Sequence, residues 1–245
     1  MSRSALVTGA SKGIGLGIAT RLATLGYGLT ITARDSEKLE VVAEGLRSAG
    51  SPDVVVVAGD MANEDFAAEL VAVHGDRFDS MRALILNAGV GTSGSVADYP
   101  MRRFDKTVAV NLRTPFALLQ AALPLLRAAA DNDLDAGAKV ITLSSMAGVY
   151  AESGLAVYGA TKAALISMVE AFNAEESGNG ISATAIAPGY VDTDMSAWTQ
   201  DRIPPDTMIK VDDIVELVDG LLRLSARAVV PKVVMTRAGT DGYRA

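Results

Sequence analysis

Tyr158 and Lys162 stand four residues apart in Tyr158-Gly159-Ala160-Thr161-Lys162, so on a helix the phenol and the ammonium share one face. Such a pair can move protons. A free phenol ionises near pH ~10, too high for acid–base work near neutrality, and a neighbouring ammonium would favour the phenolate. The chain has few other ways to do this. It has no Cys, which excludes thiolate nucleophiles, disulfides, iron–sulfur clusters and Cys-bound zinc, and its one His excludes a His-pair metal site. That residue, His74, lies beside Gly75 near the end of a predicted helix, where a cation is tolerated, and it is assigned no function.

A second group could hold phosphate. The apolar run Leu6-Val7-Thr8 leads into Thr8-Gly9-Ala10-Ser11-Lys12-Gly13-Ile14-Gly15, and a helical segment follows. Glycines allow a tight turn and close approach of the backbone to a pyrophosphate, and the helix start offers free N–H groups and a positive dipole end. The spacing G-x-x-x-G-x-G departs from the usual dinucleotide fingerprint. Asp35 lies 20 residues after Gly15, where an acidic residue would favour NAD. However, the strand Leu29–Thr32 ends at Ala33, the position that should face the ribose, and Arg34 follows it. With Lys12 in the turn, two cations flank the site of a ribose phosphate, which favours NADP(H) over NAD(H). Asp35 or Ser36 is then the N-cap of the next helix.

The elements that must position these groups alternate. Strands are expected at Leu6–Thr8, Leu29–Thr32, Val54–Val57, Ala83–Leu86, Lys139–Leu143, Ser182–Ile186 and Val229–Met235. Helices are expected at Ile14–Leu25, Ser36–Ala49, Asn63–Val73, Met101–Ala130, Val157–Glu176 and Asp212–Ser225. The strands are apolar on successive residues, as for strands covered on both faces. The expectation is an α/β fold: one Rossmann-type, doubly wound parallel sheet of about seven strands, helices on both faces, residues 1–245 as a single domain.

Further motifs accompany the Tyr-Lys pair. Ser145 lies 13 residues before Tyr158 in Ser144-Ser145-Met146-Ala147-Gly148; Asn87-Ala88-Gly89 follows the fourth strand; Asn111 lies in the long helical stretch; Pro188-Gly189-Tyr190-Val191-Asp192-Thr193 follows the sixth strand. In this order and spacing the sequence resembles the short-chain dehydrogenase/reductase family over essentially its whole length. The resemblance implies Tyr158 as general acid/base and Ser145 as a hydrogen-bond donor to the reacting oxygen. It implies that Lys162 lowers the Tyr158 pKa and binds the nicotinamide ribose, and that Asn111 holds a water linking Lys162 to solvent. Gly9, Gly13 and Gly15 would cradle the pyrophosphate, Asp60 would lie at the adenine, and Asn87 beside the adenosine ribose. Thr193 would contact the carboxamide in the turn shaped by Pro188 and Gly189. Ser11, Ile14, Met61, Ala88, Gly89 and Val191 complete the implied cofactor contacts. The family is commonly a homodimer or homotetramer.

Two points have their own physics. Pro115, four residues after Asn111, has no N–H for the Asn111 carbonyl if the helix runs on; the alternative is a helix boundary at Thr114-Pro115. Successive strand residues face opposite sides, so only one of Ser144 and Ser145 can face the site; the resemblance selects Ser145. Phe116, Leu119, Leu123 and Leu126 form an apolar stripe suited to a subunit contact or to the chain's own sheet.

The segment 194–211, with two prolines and the only Trp, is expected to be a lid whose Met195, Trp198 and Ile203 cover an apolar substrate, unless Trp198 packs in a subunit interface. Tyr150 and Tyr190 are further substrate-cleft candidates. Asp192 and Asp194 read as a solvated loop edge, and the dispersed Met residues as core. A net charge of −7, with basic residues scattered, argues against nucleic acid. Apolar runs broken by Pro124, Arg127 or Gly read as too short for a membrane span, and an N-terminus entering directly into Ala5-Leu6-Val7 reads as cytoplasmic. The expected function is reversible reduction of a small carbonyl substrate with NADPH, with no metal. The competing readings are an NAD-dependent alcohol dehydrogenase, a non-catalytic cofactor-binding regulator, and a methyltransferase of related fold.

Overall fold

The computed structural model describes residues 3–243. Seven strands, β1 (Ser4–Thr8), β2 (Gly28–Ala33), β3 (Val54–Ala58), β4 (Ala83–Leu86), β5 (Ala138–Leu143), β6 (Ile181–Pro188) and β7 (Lys232–Met235), form one parallel sheet in the order β3-β2-β1-β4-β5-β6-β7. The order reverses between β1 and β4, where successive connections leave to opposite faces and open a crevice at the carboxyl ends of the strands.

Both faces are covered, which is why the strands carry unbroken apolar runs. Val7 of β1 and Ile85 of β4 join Ile18 and Leu22 of α1 (Gly13–Thr24), Leu39 of α2 (Ser36–Ala49) and Ile214 of α7 (Val211–Leu222). The intervening Leu6 and Leu84 join Leu70 of α3 (Phe66–Phe78), Leu118 of α5 (Thr114–Asn132) and Val169 of α6 (Ala156–Glu176) on the other face. Leu119 and Leu126 belong to this second core, so the apolar stripe is largely absorbed by the chain's own sheet and leaves Phe116 exposed.

The long helical stretch is one continuous run whose hydrogen bonding changes partway. α4 (Met101–Val108) passes into a π-helical turn, Ala109–Arg113, in which the Thr114 N–H bonds the Ala109 carbonyl five residues back; α5 follows, with Pro115 in its first turn. Contrary to the sequence expectation, Met101–Asn132 is long and apolar enough to cross a membrane by length and composition. Here its Leu118, Ala122 and Leu126 pack into the core of the sheet.

Some boundaries shift for local reasons. β7 starts at Lys232 rather than Val229, because Pro231 has no N–H for a ladder and offers only its carbonyl, which accepts from Ala185. α3 starts at Phe66 rather than Asn63, because the Asp60 and Asn63 side chains accept the N–H groups of Ala62 and Asp65 and hold turns there. α3 also runs on to Phe78, which places His74 inside it and fully buried. His74 is therefore no exposed cation at a helix end. Its Nδ1 is 2.8 Å from Thr30 Oγ1 and its Nε2 3.2 Å from Ser4 Oγ, tying α3 to β1 and β2. Burial pushes its pKa down to about 4.

A neutral buried imidazole makes the fold acid-sensitive. The unfolded ring titrates near ~6.5, so its stabilisation is complete above that pH and is lost as pH falls toward the folded value. Chemical denaturation should show roughly 2 kcal/mol less stability from this source at about pH 5 than at about pH 7. His74→Gln should lack that increment of pH dependence, and an unchanged pH dependence in the variant would contradict the assignment.

Candidate active site

The crevice between β1 and β4 is built by a brace. Thr8 Oγ1 donates to the Ile85 carbonyl (3.2 Å) and accepts the N–H groups of Asn87 (3.0 Å) and Ala88 (2.9 Å). Asn87 Nδ2 donates back to the carbonyls of Thr8 (2.9 Å) and Gly9 (3.1 Å). The glycine turn winds around this amide. Gly9 has φ +67° and Gly13 φ +56°, conformations that favour glycine. A Cβ on Gly15 would lie 2.3 Å from the Gly9 carbonyl oxygen and 2.4 Å from Asn87 Nδ2.

The turn lines a groove of about 770 Å³, together with Ser11, Lys12, Ile14, Arg34, Asp60, Met61, Ala88 and Gly89. That is the size of a site for an extended ligand. No side chain caps the start of α1, and Asp35 caps α2 by accepting the Lys38 N–H. Lys38 also lines the groove near Arg34, a cation the sequence reading did not single out. Lys12 is engaged: its Nζ lies 2.7 Å from Asp194 Oδ2, and this pairing lowers the Asp194 pKa. Asp192 and Asp194 lie on an exposed loop edge, as expected, and Asp194 there pairs with Lys12 across the groove. Thr193 lies over Gly13, its Cγ2 3.4 Å from where a Gly13 Cβ would be.

The groove opens into a smaller cavity of about 230 Å³, and both are lined by Ile14, Asn87, Gly89, Thr193 and Met195. Ser145, Tyr158, Lys162, Pro188, Gly189, Tyr190, Val191 and Trp198 complete its walls. The serine pair divides as strand geometry requires. Ser144 Oγ donates to the Lys162 carbonyl (2.8 Å), while Ser145 Oγ accepts the Ala147 N–H (3.2 Å) at the cavity wall. Two glycines without evident chemistry let the Ser145 segment press on α6. A Cβ at Gly148 would lie 2.6 Å from the Lys162 carbonyl carbon, and one at Gly159 2.6 Å from the Ala147 oxygen.

Lys162 is buried, its Nζ 5.7 Å from the Tyr158 ring centroid and 2.7 Å from the Leu143 carbonyl oxygen to which it donates. Desolvation pushes its pKa down to about 8. Tyr158 differs from expectation. Burial pushes its phenol above the ordinary tyrosine value, the nearby Ser145 hydroxyl opposes that shift, and Lys162 does not reverse it. Asn111, fully buried in the π-helical turn, donates to the Val90 carbonyl (3.0 Å) and accepts the Val90 N–H (2.8 Å), so its amide clamps the loop after β4. Its Oδ1 and Lys162 Nζ lie 3.4 and 3.5 Å from where a Gly89 Cβ would be, which brings both to one spot.

The segment after Thr193 contains short 3₁₀ turns at Asp194–Thr199 and Pro205–Thr207. Met195 and Trp198 are about half exposed and line the smaller cavity, with the Trp198 ring edge-on to Tyr190 at 6.0 Å. Tyr190 donates to Glu152 (3.3 Å), and burial with that carboxylate pushes its pKa up to about 12. Tyr150 and Ile203 do not reach this cavity and line an adjoining one. The Tyr150 N–H closes a turn on the Met146 carbonyl (2.8 Å), and its ring packs on Tyr243 at 5.3 Å.

A dinucleotide-sized groove at the switch point of a parallel sheet, joined to a cavity holding a serine, a tyrosine and a lysine, is the layout of a dehydrogenase. A family model for short chain dehydrogenases matches residues 3–203, and the chain belongs to that family of oxidoreductases. It is 32% identical to the 3-oxoacyl-acyl-carrier-protein reductase FabG of Staphylococcus aureus over 213 residues, 86% of this chain and 83% of that one. Among solved structures, a short chain dehydrogenase from Burkholderia cenocepacia in complex with NADP superposes with a TM-score of 0.83 at 28% identity, over 96% of this chain and 95% of that one. A 3-oxoacyl-acyl-carrier-protein reductase from Brucella melitensis in complex with NAD gives 0.86 at 29% identity, over the same shares, 96% and 95%.

The steric argument at the turn has a direct check. Gly15→Ala should lower the unfolding free energy by about 1–3 kcal/mol, since a backbone oxygen has little room to move. Gly45→Ala, at a helical position with open space around the new Cβ, should stabilise by about 0.5–1 kcal/mol. Urea unfolding of the two variants separates these outcomes, and a neutral Gly15→Ala would contradict the packing described.

Proposed function

We propose that the protein reduces a carbonyl substrate to the secondary alcohol with NADPH, reversibly, in the cavity between Ser145, Tyr158 and Trp198. The observation that carries this reading is the convergence of Ser145, Tyr158 and Lys162 on one cavity that opens into the glycine-turn groove. The residues present fit a nicotinamide dinucleotide. Gly15 lets α1 start hard against Gly9 and Asn87 at the strand ends, the start of α1 lacks a side-chain cap, and Arg34 and Lys38 line the groove. When bound, the cofactor supplies or accepts the hydride.

The chain's own residues do the rest. Gly9, Gly13 and Gly15 admit the pyrophosphate against the N-terminus of α1. Asp60 and Asn87 would hold the adenosine and Thr193 the carboxamide. Ser145 donates a hydrogen bond to the carbonyl oxygen of the substrate, and Tyr158 Oη gives that oxygen its proton. A phenol held above its ordinary pKa keeps its proton until the reacting oxygen becomes basic. Lys162 binds the nicotinamide ribose and stabilises the phenolate left behind, and a water on the Asn111 carbonyl resupplies the proton, since Pro115 has no N–H to occupy that carbonyl. Met195 and Trp198 cover the substrate. Because Asp194 holds Lys12, Arg34 with Lys38 is the stronger claim on a 2′-phosphate and the basis for preferring NADP(H) to NAD(H).

NADPH oxidation against simple ketones and 3-oxoacyl thioesters tests this. Tyr158→Phe should lose about 10²- to 10⁴-fold in kcat. Arg34→Ala should raise KM for NADPH about tenfold and leave KM for NADH unchanged. Equal rates for wild type and Tyr158→Phe would remove the tyrosine from the reaction, and equal NADPH affinity in Arg34→Ala would remove the phosphate assignment.

A further inference from the structure

A second chamber of about 310 Å³ adjoins the catalytic cavity, and Ala147, Glu152 and Tyr190 line both. Two of these shared residues are joined by the Tyr190–Glu152 hydrogen bond of 3.3 Å, a long and therefore weak one. Beyond it the lining is mostly apolar, from Met146, Tyr150 and Ile203, with one exposed cation, Arg202, and one buried hydroxyl, that of Thr199. Arg202 lies 5.5 Å over the Trp198 ring, and no carboxylate pairs with its guanidinium among the described residues. Thr199 is 1% exposed, and its hydroxyl has no hydrogen-bond partner among the described residues. One turn sets both on the same wall, because the Thr199 carbonyl accepts the N–H of Arg202 and of Ile203, each at 2.9 Å.

We infer that this chamber binds a carboxylate at the far end of the substrate, so that the preferred substrates are oxo acids whose carboxylate is separated from the reacting carbonyl by an apolar spacer running past Tyr190. This rests on the carbonyl-reductase reading above. A planar guanidinium fork matches a carboxylate, and a hydroxyl on the same wall offers it a further donor. A buried hydroxyl without a partner is costly, and a ligand oxygen recovers that cost.

The test uses levulinate and its longer homologues, each beside its uncharged methyl ester. Reduction with NADPH gives kcat/KM, and fluorescence of Trp198, the only Trp, reports binding to the NADPH complex independently of turnover. At the best spacer length the acid should exceed its ester about tenfold in kcat/KM and perturb Trp198 emission. Arg202→Gln should bring the ratio to about one, and Arg202→Lys should retain part of the preference. Acids and esters reduced equally at every length, or a preference that survives Arg202→Gln, would overturn the chamber and leave the reductase reading intact. Acids that perturb Trp198 in wild type but not in Arg202→Gln, with neither acid nor ester reduced, would support the chamber and overturn the reductase reading.

Discussion

The hydrogen-bond brace between Thr8 and Asn87 is the constraint on which the site depends. Parallel strands end together at one edge, and the chain must leave β1 and β4 in opposite directions there. Thr8 Oγ1 uses its donor and both acceptor positions on β4 and the residues after it, and Asn87 returns its amide to the carbonyls of Thr8 and Gly9. The crevice is therefore held open by satisfied polar groups, not by a gap in packing. The glycine turn is shaped to this brace: Gly9 and Gly15 approach Asn87 too closely for a side chain, so α1 starts hard against the strand ends.

The second organising fact is the burial of Lys162. Its ammonium is held by the Leu143 carbonyl at the end of β5, and Ser144 fixes its backbone from the same strand end. Desolvation pulls the lysine down to about 8 and pushes the Tyr158 phenol up. These opposite shifts keep the phenol protonated in the free protein and leave an ammonium close by that gains from any negative charge formed on the ring. In the proposed reaction this environment would suit the tyrosine to act as an acid, with charge brought by cofactor and substrate completing the tuning.

Much of the architecture was legible in the sequence because it is local. Apolar runs bounded by turns mark the strands, Asp35 marks the cap of α2, and the Tyr-x-x-x-Lys spacing sets two side chains on one helix face. That Ser145 and not Ser144 joins Tyr158 in one wall came from the family resemblance, since the residue spacing alone leaves the two serines open. What the sequence hid depends on what lies across space. His74 looks like an ordinary helix-end residue until α3 runs on to Phe78 and seals it against β1 and β2. Lys12 looks free until Asp194, 182 residues on, meets it. Tyr150 looks like a cleft residue until a single turn folds it into the next chamber. The rise in the Tyr158 pKa has the same origin, since a sequence shows a neighbouring charge more readily than the desolvation that outweighs it.

In the proposed reaction Tyr158 holds its proton in the free protein and releases it more readily when positive charge arrives beside Lys162. Ultraviolet difference titration of tyrosinate measures this directly, with Tyr158→Phe as the blank, in the free protein and in the complex with saturating oxidised cofactor. The account predicts that Tyr158 ionises above the ordinary tyrosine value of about 10 when free and at distinctly lower pH in the complex, with Lys162→Met abolishing most of the difference. An identical Tyr158 titration with and without cofactor, or one indifferent to Lys162, would contradict it.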